Sequence, residues 1–166
     1  MLFRFCCVTP DDEVAQAFLA LLTALHTAVP RGWLSATSKL LWCLYPRDIV
    51  IYDAFVQNTL TVMQCIDGDL SSFKAKIGKP ATPGDTIVAK SDYPENAKNH
   101  YMAYRSLLRK LCSEHSGLLA ELKALKADEL KLEDWALEHE IHSDIRIIDK
   151  LLWMIGDPAK LHAEKA

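Results

Sequence analysis

Apolar residues recur with a helical period in every long segment of the chain, and this pattern constrains the fold more than any other feature. In the first segment, the apolar positions are Val14, Ala17, Phe18, Leu21, Leu22 and Leu25, at intervals of three and four residues. A helix of 3.6 residues per turn places such positions on one face. Strands do not alternate with helices, because the one strand-like segment, residues 87–89, has no partner. The sequence therefore predicts an all-α fold.

Start and stop signals divide the pattern into about seven or eight short helices. Thr9 is expected to cap the first helix, because a proline and three acidic residues follow it. Pro46 ends the second helix, which is predicted over about residues 36–45, and Asp53 opens the third. Later helices are predicted over about residues 93–113, 118–126, 130–140 and 143–155, the last of them stopped by Gly156.

Composition narrows the classes of function. The chain has 166 residues, of which 50% are apolar, so a single domain over residues 1–166 with its own core is expected. No apolar run reaches the roughly 20 residues that span a bilayer, and the first residues lack the apolar core of a signal peptide. We therefore expect a cytoplasmic protein without a membrane partner. The five cysteines have neither the spacing of a disulfide framework nor that of a zinc site, and we expect no metal and no cofactor.

Charge is distributed unevenly along the chain. Residues 74–110 carry a net charge of +5, and residues 111–149 carry a net charge of −6. The basic segment favours a phosphate backbone as a partner, although solvated helix faces explain the same charges. The side chains expected to contact DNA are those of Lys74, Lys76, Lys79, Lys90, Lys98, Arg105 and Arg109.

The tetrapeptide Lys-Leu-Leu-Trp occurs twice, at residues 39–42 and 150–153, and a proline follows each copy within five residues. The surrounding sequences do not repeat, so no duplication is indicated. The second copy favours a plain structural role for Lys39, because Lys150 stands in the same local context.

A lysine and an aspartate flank the break between the second and third helices. The eight helical residues before Pro46 span about 12 Å, and the extended segment that ends at Tyr52 can span about 20 Å. The chain can therefore run back along its own helix and bring Asp53 near Lys39. Backbone N–H groups and the helix dipole stabilise a carboxylate at a helix start. Capping alone explains Asp53 equally well, and Lys39 equally suits a surface position.

Over residues 33–60, this arrangement resembles the helix-hairpin-helix DNA glycosylases, especially their 8-oxoguanine-type members. Lys39, which follows Thr37-Ser38, matches the lysine that attacks the sugar C1′ atom in the lyase members. Asp53, within Ile-Tyr-Asp-Ala-Phe-Val at residues 51–56, matches the catalytic aspartate at the start of the next helix. Where the family's hairpin reads Gly-hydrophobic-Gly, this chain has Ser35-Ala36-Thr37.

The resemblance implies a DNA base-excision glycosylase, with or without lyase activity, that acts on a damaged or modified base. It implies that Lys39 forms a Schiff base and that Asp53 stabilises positive charge on the sugar or activates water. Ser38, Trp42 and Tyr52 are the candidate substrate-binding residues. Trp33 and Tyr52 flank the candidate site, and their rings are of the kind that stacks on a flipped base. Trp42 and Tyr52 also fit a helical core. The alternative function is a non-catalytic α-helical module that binds a protein partner or regulates it.

Overall fold

A computed structural model describes residues 10–46, 48–66, 92–130 and 144–156. All regular structure within these ranges is helical: α1 (Asp11–Ala28), α2 (Leu34–Leu44), α3 (Ala54–Ile66), α4 (Tyr93–Glu114), α5 (Ser116–Leu130) and α6 (Asp144–Gly156). The all-α prediction is confirmed. The strand-like segment 87–89 and nearly all of the helix predicted over 130–140 lie outside the described residues, so the count of seven or eight helices stays a prediction. None of the described helices is long and apolar enough to cross a bilayer.

The first helix begins one residue later than the sequence suggested. Pro10, not Thr9, is the N-cap residue of α1, and its carbonyl accepts the N–H of Val14 at 3.2 Å. Among the described residues, no side chain forms a capping hydrogen bond at this helix start. The acidic residues Asp11, Asp12 and Glu13 form the first turn, and their charges stabilise it through the helix dipole.

The second helix begins earlier than expected, at Leu34. The triplet Ser35-Ala36-Thr37 therefore belongs to the first turns of α2, and the N–H of Thr37 donates to the carbonyl of Trp33 at 2.8 Å. The sequence predicted this helix from about residue 36, two residues later. None of the three residues is a glycine, and each is compatible with helical backbone.

The chain divides into two compact units, and the single-domain prediction stays a prediction. The first unit contains Met1–Ile51 and Lys76–Met102, and the second contains Tyr52–Ala75 and Ala103–Ala166. In the first unit, the ring of Phe18 on α1 stacks on Tyr101 of α4, with ring centroids 3.9 Å apart. Both side chains are fully buried.

Residues 48–53 belong to no helix, and Tyr101 binds this connection at Val50. The hydroxyl of Tyr101 donates to the carbonyl of Val50 and accepts from the N–H of the same residue, each at 3.0 Å. Buried backbone groups require such partners. One phenol therefore satisfies both polar groups of Val50 within the first unit.

In the second unit, α3 packs closely against α6. The hydroxyl of Thr59 donates to the carbonyl of Leu152 at 2.9 Å, and the rings of Phe55 and Trp153 meet edge to face at 6.0 Å. A Cβ atom on Gly156 would lie 2.2 Å from the carbonyl oxygen of Phe55. Only glycine fits at this approach. The first two turns of α3 are thereby fixed against the C-terminal half of α6.

Candidate functional site

Asp53 lies directly before the first residue of α3. Its Oδ1 atom accepts the N–H of Phe55 at 2.8 Å, and its carbonyl accepts the N–H of Gln57 at 3.0 Å. These contacts are those of an N-cap residue. Asp53 therefore caps the helix, as the sequence predicts, and its side chain remains partly exposed to solvent.

Two tyrosines adjoin Asp53. The ring of Tyr104 on α4 lies 5.0 Å from the ring of Tyr52, and both side chains are buried. Burial raises the pKa of Tyr104 far above its ordinary value, and the charges of Asp149 and Asp53 act in the same direction. A hydrogen bond with the backbone of Asp53 acts in the opposite direction. The Tyr104 hydroxyl therefore stays protonated over the physiological range.

Asp149 on α6 is a second carboxyl group in this region, with only 5% of its surface exposed. Arg146, one turn earlier, forms an ion pair with its Oδ2 atom. Its Oδ1 atom is buried without a hydrogen-bond partner in the described part of the chain. The pKa of Asp149 is raised to about 6, chiefly by burial and also by the charge of Asp53, against the opposing effects of Arg146 and Lys150. The charge of this carboxyl group therefore changes close to neutral pH.

We call Asp53, Tyr104, Arg146 and Asp149 the carboxylate cluster. The sequence singled out Asp53 and missed the other three residues. A local signal for Asp149 existed, because it stands on the apolar face of α6, four residues after Ile145 and three before Leu152. An aspartate at such a position predicts a buried carboxylate, and the arginine three residues earlier is a suitable partner.

The other predicted site residues have different environments. Lys39 is exposed on α2, and Trp42 is partly buried. Ser38 is fully buried, and its hydroxyl donates to the carbonyl of Ser35 at 2.8 Å. Tyr52 is a core residue with 5% exposure.

These residues are divided between the two units. Lys39, Ser38 and Trp42 belong to the first, whereas Tyr52 and Asp53 belong to the second. The pairing of Lys39 with Asp53, and the substrate-binding roles of Ser38, Trp42 and Tyr52, stay predictions.

The structure describes only part of the predicted basic surface. Lys74, Lys76, Lys79 and Lys90 lie outside the described residues. Lys98 forms an ion pair with Glu95 one turn away on α4. Arg105 is 1% exposed, so its expected contact with DNA is wrong. Arg105 lies on the same buried face of α4 as Leu108, one turn later.

Within the described ranges, no group of three His, Cys, Asp or Glu side chains is arranged to hold a metal ion. Comparisons with protein-family models, with curated proteins and with solved structures find no significant match. Among the described residues, the carboxylate cluster is the group of side chains best suited to catalysis. It combines a partly exposed carboxylate with a buried carboxyl group whose pKa lies near neutrality.

Proposed function

We propose that the chain is a DNA base-excision glycosylase for a damaged or modified base, with Asp53 as its catalytic carboxylate. One observation carries the proposal: Asp53 is partly exposed and is fixed at the N-terminus of α3 by its hydrogen bond with Phe55. The resemblance to helix-hairpin-helix glycosylases over residues 33–60 supports it, and so does the all-α class. A glycosylase-like arrangement of the helices is part of the same proposal.

In the proposed reaction, the bond between the sugar C1′ atom and the base nitrogen breaks. Its electron pair leaves with the base, which takes up a proton, while water bonds to C1′ and loses a proton. Positive charge develops on the sugar in the transition state, and the negative charge of Asp53 stabilises it. In the lyase variant, the amine of Lys39 bonds to C1′ in place of water and loses a proton. The C1′–O4′ bond then breaks, O4′ takes up a proton, and C1′ and the amine nitrogen form a Schiff base. The exposed position of Lys39 leaves this amine accessible to DNA.

The test is base release from a panel of oxidised, alkylated and phage-type modified duplexes. Asp53→Asn should lower the rate roughly 10²–10³-fold, because it removes a negative charge that faces the cationic transition state. The fold should persist, because asparagine caps a helix about as well as aspartate.

The matched control is Asp48→Asn, which changes another aspartate five residues earlier on the same connection. It should retain the parent rate. The proposal fails if the parent protein releases no base from any duplex, or if Asp53→Asn is as active as the parent.

Lyase activity has its own assay. Borohydride should trap a covalent adduct between a bifunctional parent protein and damaged DNA, and Lys39→Gln should abolish it. Lys150→Gln is the matched control, because Lys150 is also exposed and begins the same tetrapeptide. An adduct that survives Lys39→Gln would exclude Lys39 as the nucleophile.

The outer face of α6 favours a second candidate, a non-catalytic module that binds an amphipathic helix of a protein partner. Leu151, Met154 and Ile155 are 44%, 51% and 60% exposed and recur at helical spacing on this face. An amphipathic helix binds to such a surface through anchors of the same spacing. This candidate forecasts no base release. It also forecasts that binding of a hydrophobic dye by the native protein falls when Met154 and Ile155 are replaced by glutamate.

A further inference from the structure

We propose that Asp149 is a positioning residue of the carboxylate cluster, whose charge sets the electric field at Asp53 and thereby the rate of base release. This inference rests on the proposed function and deepens it. Asp149 is 95% buried, so it does not touch DNA and acts only through its neighbours.

The packing of α3 against α6 gives this influence a fixed geometry. The 2.9 Å hydrogen bond between Thr59 and Leu152, and the absence of room for a side chain at Gly156, hold the two helices together. Asp53 begins one of these helices, and Asp149 lies on the other. The relative position of the two carboxyl groups therefore depends on rigid helices rather than on loops.

Tyr104 interacts with both aspartates. Its hydroxyl is hydrogen-bonded with the backbone of Asp53, and the charge of Asp149 acts on the same phenol. Among the described residues, the charged and titratable groups that act on Asp149 are Arg146, Asp53 and Lys150, together with Tyr104. Arg146 pairs with Asp149 directly, and the charge of Asp149 acts in turn on the phenol of Tyr104.

The Oδ1 atom of Asp149 supplies an independent observation. It is buried without a hydrogen-bond partner within the described ranges. Buried polar atoms are almost always paired, so an unpaired one calls for an explanation, of which a role in catalysis is one. The ion pair with Arg146 uses Oδ2. It therefore gives no reason for the burial of Oδ1.

The charge of Asp149 should act on the reaction in a definite direction. When both aspartates are ionised, two negative charges stabilise the cationic transition state, and when Asp149 is protonated only Asp53 does so. The rate should therefore rise with pH as Asp149 ionises. The pKa of about 6 places this rise near pH 6.

The first experiment compares pH–rate profiles of base release by single-turnover kinetics. The parent should become about tenfold faster between pH 5 and pH 7, as expected for one charge acting over several ångströms in a protein. Asp149→Asn should lose this limb of the profile, and Asp144→Asn, at the start of α6, should keep it. If the rate of Asp149→Asn still rises with pH in the same range, the ionisation of Asp149 is not the cause of the rise and the inference is overturned. An aspartate with a purely structural role would leave the pH dependence of the rate unchanged when it is replaced.

The second experiment needs no DNA. Carboxyl ¹³C NMR should show the carbon of Asp53 shifting with the same midpoint as the titration of Asp149, near pH 6. If the chemical shift of the Asp53 carboxyl carbon does not change over the titration of Asp149, the inference is overturned, whether or not the protein releases bases. If the coupling is seen but the parent releases no base, the proposed function alone fails. The NMR readout uses the parent protein, so it stands even if Asp149→Asn does not fold.

Discussion

In α2 and α6 the same tetrapeptide, Lys-Leu-Leu-Trp, adopts the same register and carries different chemistry. The lysine and the first leucine are exposed in both helices, the second leucine is buried, and the tryptophan is partly buried. The residue before the lysine is also buried in both, but it is Ser38 in α2 and Asp149 in α6. Local sequence therefore determines which face is buried. One residue on that face determines whether the helix contributes a hydroxyl or a titratable carboxyl group.

The two helices also end differently. Three residues after the tryptophan, α6 has Gly156, which has no room for a side chain beside Phe55. The equivalent residue after α2 is Tyr45, which is 54% exposed. A shared tetrapeptide therefore does not imply a shared partner, because α6 is packed along a second helix up to its last residue.

The largest expected effect tests the shared register. Leu41→Ala and Leu152→Ala should each lower the free energy of unfolding by about 2–5 kcal/mol, because each removes a buried side chain and leaves a cavity. The controls are Leu40→Ala and Leu151→Ala, exposed neighbours that should change it by only about 0.5 kcal/mol. Urea denaturation measures all four. A large loss at only one of the buried leucines would show that the two helices are not equivalent in packing.

The second prediction tests the difference between the helix ends. Gly156→Ala should destabilise the protein by about 1–3 kcal/mol, because the new methyl group would force α3 and α6 apart. Tyr45→Ala removes an exposed ring and should matter little. Gly117→Ala, on α5, has open space around it and should be neutral or stabilising by up to about 1 kcal/mol. A fully stable Gly156→Ala would contradict the close approach of the two helices.

The smallest expected effect is on the pH dependence of the unfolding free energy. The two residues compared are Asp149 and His100, which belongs to the first unit. Asp149 has a pKa raised to about 6, so its protonated form adds stability at low pH that is lost as the pH rises through 6. Burial lowers the pKa of His100 to about 4, so the stability that its neutral form contributes is lost as the pH falls from 6.5 towards 4. The two contributions oppose each other between about pH 4 and pH 6.

When one of the two groups is replaced, the pH dependence of the unfolding free energy should follow the group that remains. Asp149→Asn should make the protein less stable on acidification, and His100→Gln should make it more stable, each by about 1 kcal/mol per pH unit relative to the parent. Unfolding free energies at pH 5 and pH 6 measure this. Equal pH slopes in the parent and both variants would contradict the assigned burial effects.

The features that the sequence predicted are those that depend on neighbouring residues. The helical class, the cap at Asp53 and the end of α6 at Gly156 follow from periodicity and capping preferences. The start of α2 was misplaced because the small polar residues after Leu34 suit a turn and a helix equally.

The carboxylate cluster as a whole could not be predicted from residues that are neighbours in the sequence. Tyr104 and Asp149 are separated by 45 positions along the chain, and only tertiary packing sets their environments. The burial of Arg105 has the same origin, because composition marks an arginine as basic but not as exposed. The cap at Asp53 and the burial of Asp149 on the apolar face of α6 both have local signals, whereas the proximity of Tyr104 to these aspartates has none.

Tyr101 also has a consequence for strand pairing. Open backbone N–H and C=O groups are a template on which a strand of another molecule can pair. The phenol of Tyr101 occupies both groups of Val50. The backbone at that residue is therefore closed to pairing with another strand.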